Sequence, residues 1–297
     1  MGCPTWGENV VVERFVEVDN DTRLWVEESG RPDGSPLLLI MGANASGLAW
    51  PDDLVTGLGA RHRVVRYDHR DTGRSTWAFD SRPYSVADLA RDAVAVLDGL
   101  AIQRAHVVGM SMGGTLVQLL LIDAPERLLS ATVLCTAALE GAGPDGAPPP
   151  FVDIDPTLLA LWEHLGDSRD PLAEIDFRVE HWRLLNGDAL PFDADEYRRL
   201  ERRVIDHTGR HDSPAVHARA DQSGLDRGAA LSTVTTPTLV IEAPADPINP
   251  PPAASRITAA IPGARQVTIP GMGHALSSPV LGPLTGEILR HTSRVDG

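Results

Sequence analysis

Short apolar runs and stretches of helical period take turns along most of this chain, and that alternation sets the class of fold open to it. Residues 37–41, 63–67, 105–109 and 129–135 read as strands, short stretches in which apolar residues outnumber polar ones. Residues 86–100 place Val86, Leu89, Ala90, Ala93, Val94 and Leu97 on one helix face, and a second helix is predicted over 112–123. Strands joined through helices run parallel, and strands apolar throughout are covered on both faces. Ahead of this pattern, residues 10–18 and 22–28 predict two antiparallel strands joined by the turn Asp19-Asn20-Asp21. The alternation resumes late, with strands at 238–241 and 265–269 and helices at 253–261 and 280–290. The expected class is α/β, a mostly parallel sheet flanked by helices.

Between these two halves the rhythm breaks. Residues 141–150 are too rich in Gly and Pro for a regular element and read as a linker. Residues 151–228 hold helical stretches and no convincing strand. The expected organisation is a core of residues 1–138 and 232–297, split by a helical cap of residues 139–231. Trp162, Phe177, Trp182, Phe192 and Tyr197 supply the insertion's aromatic content, as its packing core or as a platform for a ligand.

The chemistry starts at Gly109-Met110-Ser111-Met112-Gly113, which lies after an apolar strand and before a helix. A strand–turn–helix elbow strains its central serine and lifts the Oγ to the carboxyl edge of the sheet, where flanking glycines leave room for it. The following helix directs positive partial charge toward that oxygen. A serine nucleophile needs a base and an orienting acid, in the chain order Ser, acid, His on such an elbow. His274 follows a late strand through the Gly-rich loop Pro270-Gly271-Met272-Gly273 and is the expected base. Asp246, between Pro244 and Pro247 in the loop after the preceding strand, is the expected acid. Glu242 competes for that role but sits at the strand's end, too deep to meet a loop histidine. Two backbone N–H groups are needed for an oxyanion. Met112, after the nucleophile, supplies one and Ala43, in the loop Met41-Gly42-Ala43-Asn44, supplies the other.

Two charged groupings read as bland. His207 and His211, four residues apart with His217 nearby, have the spacing of a metal pair, but arginines surround them and they read as surface histidines. Asp68, Arg70 and Asp71, beyond a strand end, read as a network bracing the turn at Gly73.

Composition removes several function classes. The net charge is −15, from 26 basic and 41 acidic residues, which disfavours nucleic acid or an anionic membrane as a partner. All the basic residues are arginine, so lysine-dependent chemistry such as Schiff bases, P-loops and Ser-Lys dyads is absent. No apolar run reaches the ~18 residues of a membrane span, and the first residues lack the pattern of a secretion signal. Cys3 and Cys135 are expected as free thiols in a reducing cytoplasm.

The elbow, the segment Tyr67-Asp68-His69-Arg70-Asp71-Thr72-Gly73-Arg74-Ser75 and the late Asp246 and His274 together resemble the lid-bearing α/β-hydrolases over nearly the whole chain. Within that fold, Met41-Gly42-Ala43-Asn44, Trp182-Arg183-Leu184-Leu185, Pro191-Phe192-Asp193 and Pro270-Gly271-Met272-Gly273-His274-Ala275-Leu276 are similar to the aclacinomycin methylesterase group. The resemblance implies a serine carboxylesterase that removes the methyl of a carbomethoxy ester on an anthracycline-type aromatic polyketide. It implies Ser111, Asp246 and His274 as catalytic residues and Ala43 and Met112 as oxyanion donors; of the insertion's aromatics, Trp182, Phe177 and Trp162 are expected at the substrate, and the chemistry of such a triad needs no metal or organic cofactor. Two departures bear on pocket shape rather than chemistry. Met41-Gly42 stands where His-Gly is common, and Ala245 precedes the acid where His is common. A cofactor-free perhydrolase or carbon–carbon hydrolase uses the same triad, and a ligand receptor uses the same fold, so both stay open at this point.

Overall fold

The computed structural model describes residues 11–139, 154–212 and 215–297. The 141–150 linker, Cys3 and the first residue of the predicted hairpin lie outside them. Strands β1 (Val12–Asp19) and β2 (Thr22–Gly30) form the antiparallel hairpin expected from the turn between them. The remaining strands are β3 (Pro36–Ile40), β4 (Arg63–Tyr67), β5 (Ala105–Met110), β6 (Leu128–Leu134), β7 (Thr238–Glu242) and β8 (Arg265–Thr268). They join in the order β1-β2-β4-β3-β5-β6-β7-β8, antiparallel at the first two junctions and parallel from β4 onward.

Helices α1 (Asp52–Gly59), α2 (Val86–Gly99), α3 (Met112–Asp123), α7 (Ala253–Ala260) and α8 (Ser278–Asp296) cover the sheet. Side chains alternate across a strand, and the two faces separate accordingly. Leu37, Leu39, Val64, Val108 and Met110 pack with Leu54 and Leu58 of α1 and Leu284 and Ile288 of α8. Leu38, Ile40, Val65, Tyr67 and Val107 pack on the other face with Leu89 and Val96 of α2 and Leu116 and Val117 of α3. Each buried Leu or Val contributes roughly 1.5–3 kcal/mol, so continuous apolar strands flanked by amphipathic helices can be stable only in this layered form. Local chemistry agrees with the layering. Ser85 caps α2 by accepting from Asp88 N at 3.1 Å, while Ser85 N donates back to the Asp88 carboxylate at 2.8 Å.

Three helices stand between β6 and β7: α4 (Pro156–Trp162), α5 (Pro171–Asn186) and α6 (Ala194–Thr208). Aspartates 155, 170 and 193 cap their N-termini, and Pro156 and Pro171 take the first helical position, where a missing N–H costs nothing. They pack through a cluster of their own, with Leu158, Ile175, Val179, Leu185 and Tyr197 buried. Among the described residues no helix is long and apolar enough to cross a membrane. After α6 the chain returns to the core, because Val216, Ala220 and Leu231 are buried against α2 and α3.

Asp68, at the end of β4, is fully buried and gathers several segments. Its Oδ1 accepts from Ser46 Oγ at 2.5 Å and Gly47 N at 2.8 Å; its Oδ2 accepts from Arg74 N at 2.9 Å and His207 Nε2 at 2.8 Å. Gly73 has φ of +49°, and a Cβ there would overlap the Asp68 carboxylate. Asp71 Oδ1 accepts from Ala78 N and Phe79 N at 2.8 and 3.1 Å, and Arg70 forks onto Asp92 with two contacts of 2.6 Å. The bracing network predicted around Gly73 is thus present, and it reaches α6. The expectation of surface histidines fails for two of the three. His207 is tied to Asp68, and His217 is buried with both ring nitrogens hydrogen-bonded. Spacing along the chain could not show that these rings fold back onto the core.

Gly73→Ala is expected to lower the unfolding free energy by about 3 kcal/mol or more, since the methyl both strains the turn and pushes Asp68 off buried donors. Urea denaturation of the variant measures it. A midpoint unchanged from the parent chain would show that Asp68 is not the brace described here.

Candidate active site

Ser111 stands between β5 and α3 with φ of +56°, a conformation that side chains other than glycine rarely adopt. Ser111 N donates to Leu134 O at 3.0 Å, and Gly114 N donates to Ser111 O at 2.8 Å, which closes the turn. The turn is tight enough that a Cβ on Gly109 would strike the Gly113 carbonyl, and one on Gly113 would strike that of Ile40. Both flanking glycines are therefore demanded by contact. The half-buried Ser111 faces the start of α3, whose free N–H groups carry positive partial charge.

The loop after β3 abuts the serine. A Cβ on Gly42 would lie 3.1 Å from Ser111 Cβ and 3.7 Å from Oγ, so Ala43 follows immediately beside the nucleophile. Two histidines clamp this loop, and the sequence reading missed both. His69 Nε2 donates to Met41 O at 2.9 Å. Asn44 N donates to His217 Nδ1 at 2.8 Å, His217 N donates to Asn44 Oδ1 at 3.1 Å, and His217 Nε2 donates to Arg70 O at 2.9 Å. This reciprocal pair holds Asn44 at φ of +58°. Carbonyls only accept, so both rings carry a proton on Nε2, and His217, whose Nδ1 accepts from Asn44 N, is neutral. Burial pushes His69 below the ordinary histidine value, and burial with the adjacent His69 pushes His217 down to about 4. The nearest signal in sequence was the position of His69 beside Asp68, in the segment read as structural.

His274 and Asp246 meet on the same edge. His274 Nδ1 lies 3.0 and 2.9 Å from the two Asp246 oxygens, and both residues are buried. Asp246 Oδ1 also accepts from Ile248 N at 2.8 Å and Asn249 N at 3.0 Å. Burial alone would raise the Asp246 carboxyl, but His274 and these donors outweigh it and hold it below the usual carboxylate range. With Nδ1 given to the carboxylate, Nε2 is left as the basic nitrogen. Glu242, the competing acid, instead accepts from Thr268 Oγ1 on β8 at 2.6 Å. The His274 loop is fixed from α5, since Leu185 O accepts from His274 N at 2.7 Å and Ala275 N at 3.2 Å.

Further groups surround the pair. Cys135, at φ of +52°, is held by Asn249 Nδ2 donating to its carbonyl at 3.0 Å. Burial and Asp246 push its thiol well above the ordinary range, so it stays protonated, with Gly273 O as acceptor at 3.6 Å. His181 of α5 accepts from Trp162 Nε1 at 2.9 Å; burial, then the neighbouring His274, bring it down to about 4. A neutral His181 avoids a second positive charge beside His274.

A cavity of about 370 Å³ opens next to this edge. Met41 and Met110, the chain neighbours of Gly42 and Ser111, line it together with Leu276, Trp182, Tyr197 and Leu200. Trp182 stacks on Tyr197 at 5.4 Å between ring centres, and its Nε1 donates to Glu201 at 2.6 Å. Phe192 stacks on the same tyrosine at 4.8 Å. The three aromatics expected at the substrate therefore divide. Trp182 lines the cavity, Trp162 supports His181, and Phe177, which is not among the lining residues, carries the Arg169 guanidinium 3.6 Å from its ring centre.

Residues 35–278 match the family described as the alpha/beta hydrolase fold. The chain is 46% identical over 292 residues to the rhodomycin D methylesterase of Streptomyces peucetius, covering 92% of this chain and 96% of the relative. Against the rhodomycin D methylesterase of Streptomyces sp. strain C5 the identity is also 46%, over 94% of this chain and 97% of the relative. Among solved structures, a hydrolase from Pseudomonas aeruginosa superposes with a TM-score of 0.68 at 25% identity, covering 94% of this chain and 97% of the other.

Two outcomes follow from the geometry. Asp246→Asn is expected to lower kcat by a factor on the order of 10⁴, because the amide favours the wrong His274 tautomer. Glu242→Gln should stay within about threefold of the parent, and ester-hydrolysis kinetics of the pair would expose a reversed assignment. Stability should also depend on acid. Folded His69, His181 and His217 resist protonation, whereas the unfolded chain takes up protons below the ordinary value of 6.5. The unfolded state then binds more protons, so stability is full above about pH 7 and falls as pH drops through 6.5 toward 4. Each tenfold difference in proton affinity is worth about 1.4 kcal/mol. Urea midpoints at about pH 7.5 and pH 5 test this, and equal midpoints would contradict neutral buried rings.

Proposed function

Since the chain belongs to the alpha/beta hydrolase family, we propose that it is a serine carboxylesterase that removes the methyl group from a carbomethoxy ester of an anthracycline-type aromatic polyketide. The observation that carries this reading is the Asp246–His274 pair on the same sheet edge as the strained Ser111. Identity of 46% to methylesterases over nearly the whole chain supports the substrate class.

The chemistry is acyl transfer in two halves. His274 Nε2 takes the Ser111 proton as Oγ attacks the ester carbonyl, and Asp246 stabilises the imidazolium that forms. The N–H groups of Ala43 and Met112 hold the oxyanion, whose charge the α3 N-terminus also favours. His274 then protonates the departing methanol and activates water, which releases the free acid. These steps require no metal and no organic cofactor. The Met41 to Asn44 loop is positioned by His69 and His217, so its donor enters the reaction already oriented.

Residues 139–231 act as the cap in this reading, over the carboxyl edge of a core made of residues 1–138 and 232–297. In this reading the cavity receives the planar polycycle against Trp182 and Tyr197, and Met41 and Met110 in its lining set it beside the backbone that carries Gly42 and Ser111. Its volume of about 370 Å³ falls in the range of small-molecule sites. The partner is the small-molecule ester itself, met in the cytoplasm, with no nucleic acid or membrane.

The test is methanol release from anthracycline-type methyl esters, with the free acid followed by mass spectrometry. After correction for leaving-group reactivity, such an ester should be preferred over p-nitrophenyl acetate by at least about tenfold in kcat/KM, or ~1.4 kcal/mol. Ser111→Ala should reduce kcat by at least about 10³ with the fold intact. Near-normal turnover by that variant would end the serine-esterase reading; equal rates on both esters would end the polyketide one.

A further inference from the structure

Strand β6 lies between β5, which leads to Ser111, and β7, which leads to Asp246. Two consecutive carbonyls where β6 ends serve the two neighbours in turn. Leu134 O accepts from Ser111 N at 3.0 Å, and Cys135 O accepts from Asn249 Nδ2 at 3.0 Å. The last register pair of β6 with β7 is Leu134 with Ile241, and Cys135, at φ of +52°, turns away from the ladder just beyond it. Nucleophile and acid loop are thus both referred to the same strand end, the first by a main-chain N–H and the second by a side chain.

The same asparagine touches the acid. Asp246 Oδ1 accepts from Ile248 N at 2.8 Å and Asn249 N at 3.0 Å. Residues 247, 250, 251 and 252 are prolines without an N–H, so positions 248 and 249 hold every main-chain donor that this stretch can offer the carboxylate. One residue therefore grips the end of β6 with its side chain and Asp246 with its backbone. A carbonyl only accepts, so the Asn249 amide presents its NH2 to Cys135 O, and a carboxylate of the same shape would meet it oxygen to oxygen.

We propose that Asn249 is a positioning residue for the ester chemistry: its side-chain amide sets Asp246, and through it His274, at the right distance from Ser111. The assignment rests on the serine-esterase reading and adds a residue to it. Acid and base are already joined by backbone, because Ala245 N donates to Met272 O at 2.9 Å and ties the Asp246 loop to the His274 loop. The link from that pair of loops to the strand end that holds Ser111 N runs through the Asn249 side chain, which a substitution can remove. The carboxylate has to meet Nδ1–H squarely to hold the tautomer that leaves Nε2 basic. A displacement of about 1 Å caused from outside the reacting atoms costs up to about 10²-fold in rate. Asn249 is not among the residues lining the cavity, so its loss falls on kcat and leaves KM near the parent value.

Hydrolysis of p-nitrophenyl acetate by the full chain tests this without choosing the natural ester. Asn249→Ala should lower kcat by about 10–100-fold with KM within about threefold. Asn249→Asp, of the same shape but with no donor for Cys135 O, should also lose at least about tenfold in kcat, and it keeps the test valid should the alanine variant fail to fold. The deciding measurement is a double-mutant cycle. In an Asp246→Asn background, a further Asn249 substitution should cost less than about threefold, since the group it positions is already gone. A residue that merely holds the loop together would cost its full factor in both backgrounds. Losses that multiply in full, or parent kcat in both Asn249 variants, would overturn the assignment. If Ser111→Ala is inactive while the Asn249 variants are not, this assignment alone fails; if Ser111→Ala keeps its activity, the esterase reading fails and the assignment with it.

Discussion

A buried carboxylate must be surrounded by donors or it destabilises the fold that contains it. Asp68 meets that condition by taking two donors from the segment that begins at Ser46, a single donor from the turn at Arg74 and a single donor from His207 of α6. Arg74 is six residues from Asp68, but Ser46 and Gly47 lie more than twenty residues before it and His207 lies 139 residues after it. The same short stretch carries His69, which holds Met41 O, and Arg70, whose carbonyl receives His217. One loop beyond β4 therefore fastens the helical insertion to the sheet and also sets the shape of the backbone beside Ser111.

Much of this was legible in the chain because it depends on local pattern. The eight strands and the helices α2, α3, α7 and α8 follow from period and turn chemistry, and their bounds agree with the sequence reading to within two residues, except that α8 runs six residues beyond its expected end. Helix α1 escaped it. Eight residues with two glycines and a threonine give a weak helical signal, and only packing of Leu54 and Leu58 against α8 secures the element. The Ser111 elbow and the His274 loop were visible because contact and backbone strain require particular small residues at particular spacings.

What sequence could not show was closure in space. His181, His217 and Cys135 gain their roles from neighbours far along the chain, and nothing about a lone histidine or cysteine states which backbone it will meet. The choice between Asp246 and Glu242 rested on estimated depth in a strand. In the structure it rests on a 2.9 Å contact to His274 on one side and a 2.6 Å contact to Thr268 on the other. The aromatic side chains of the insertion were the least legible of all. Their composition was plain, but Trp162, Phe177 and Trp182 face three different partners.

The double hydrogen bond at Leu185 O has a mechanical consequence. The Leu185 carbonyl, in the last turn of α5, receives the N–H groups of both His274 and Ala275, so the helix that carries Trp182 and the loop that carries His274 are parts of one linkage. Any displacement of that end of α5 must either break both bonds or drag the imidazole along with it. The register of α5 and the setting of the His274 ring are then a single mechanical quantity, and a shift in either is felt in the other.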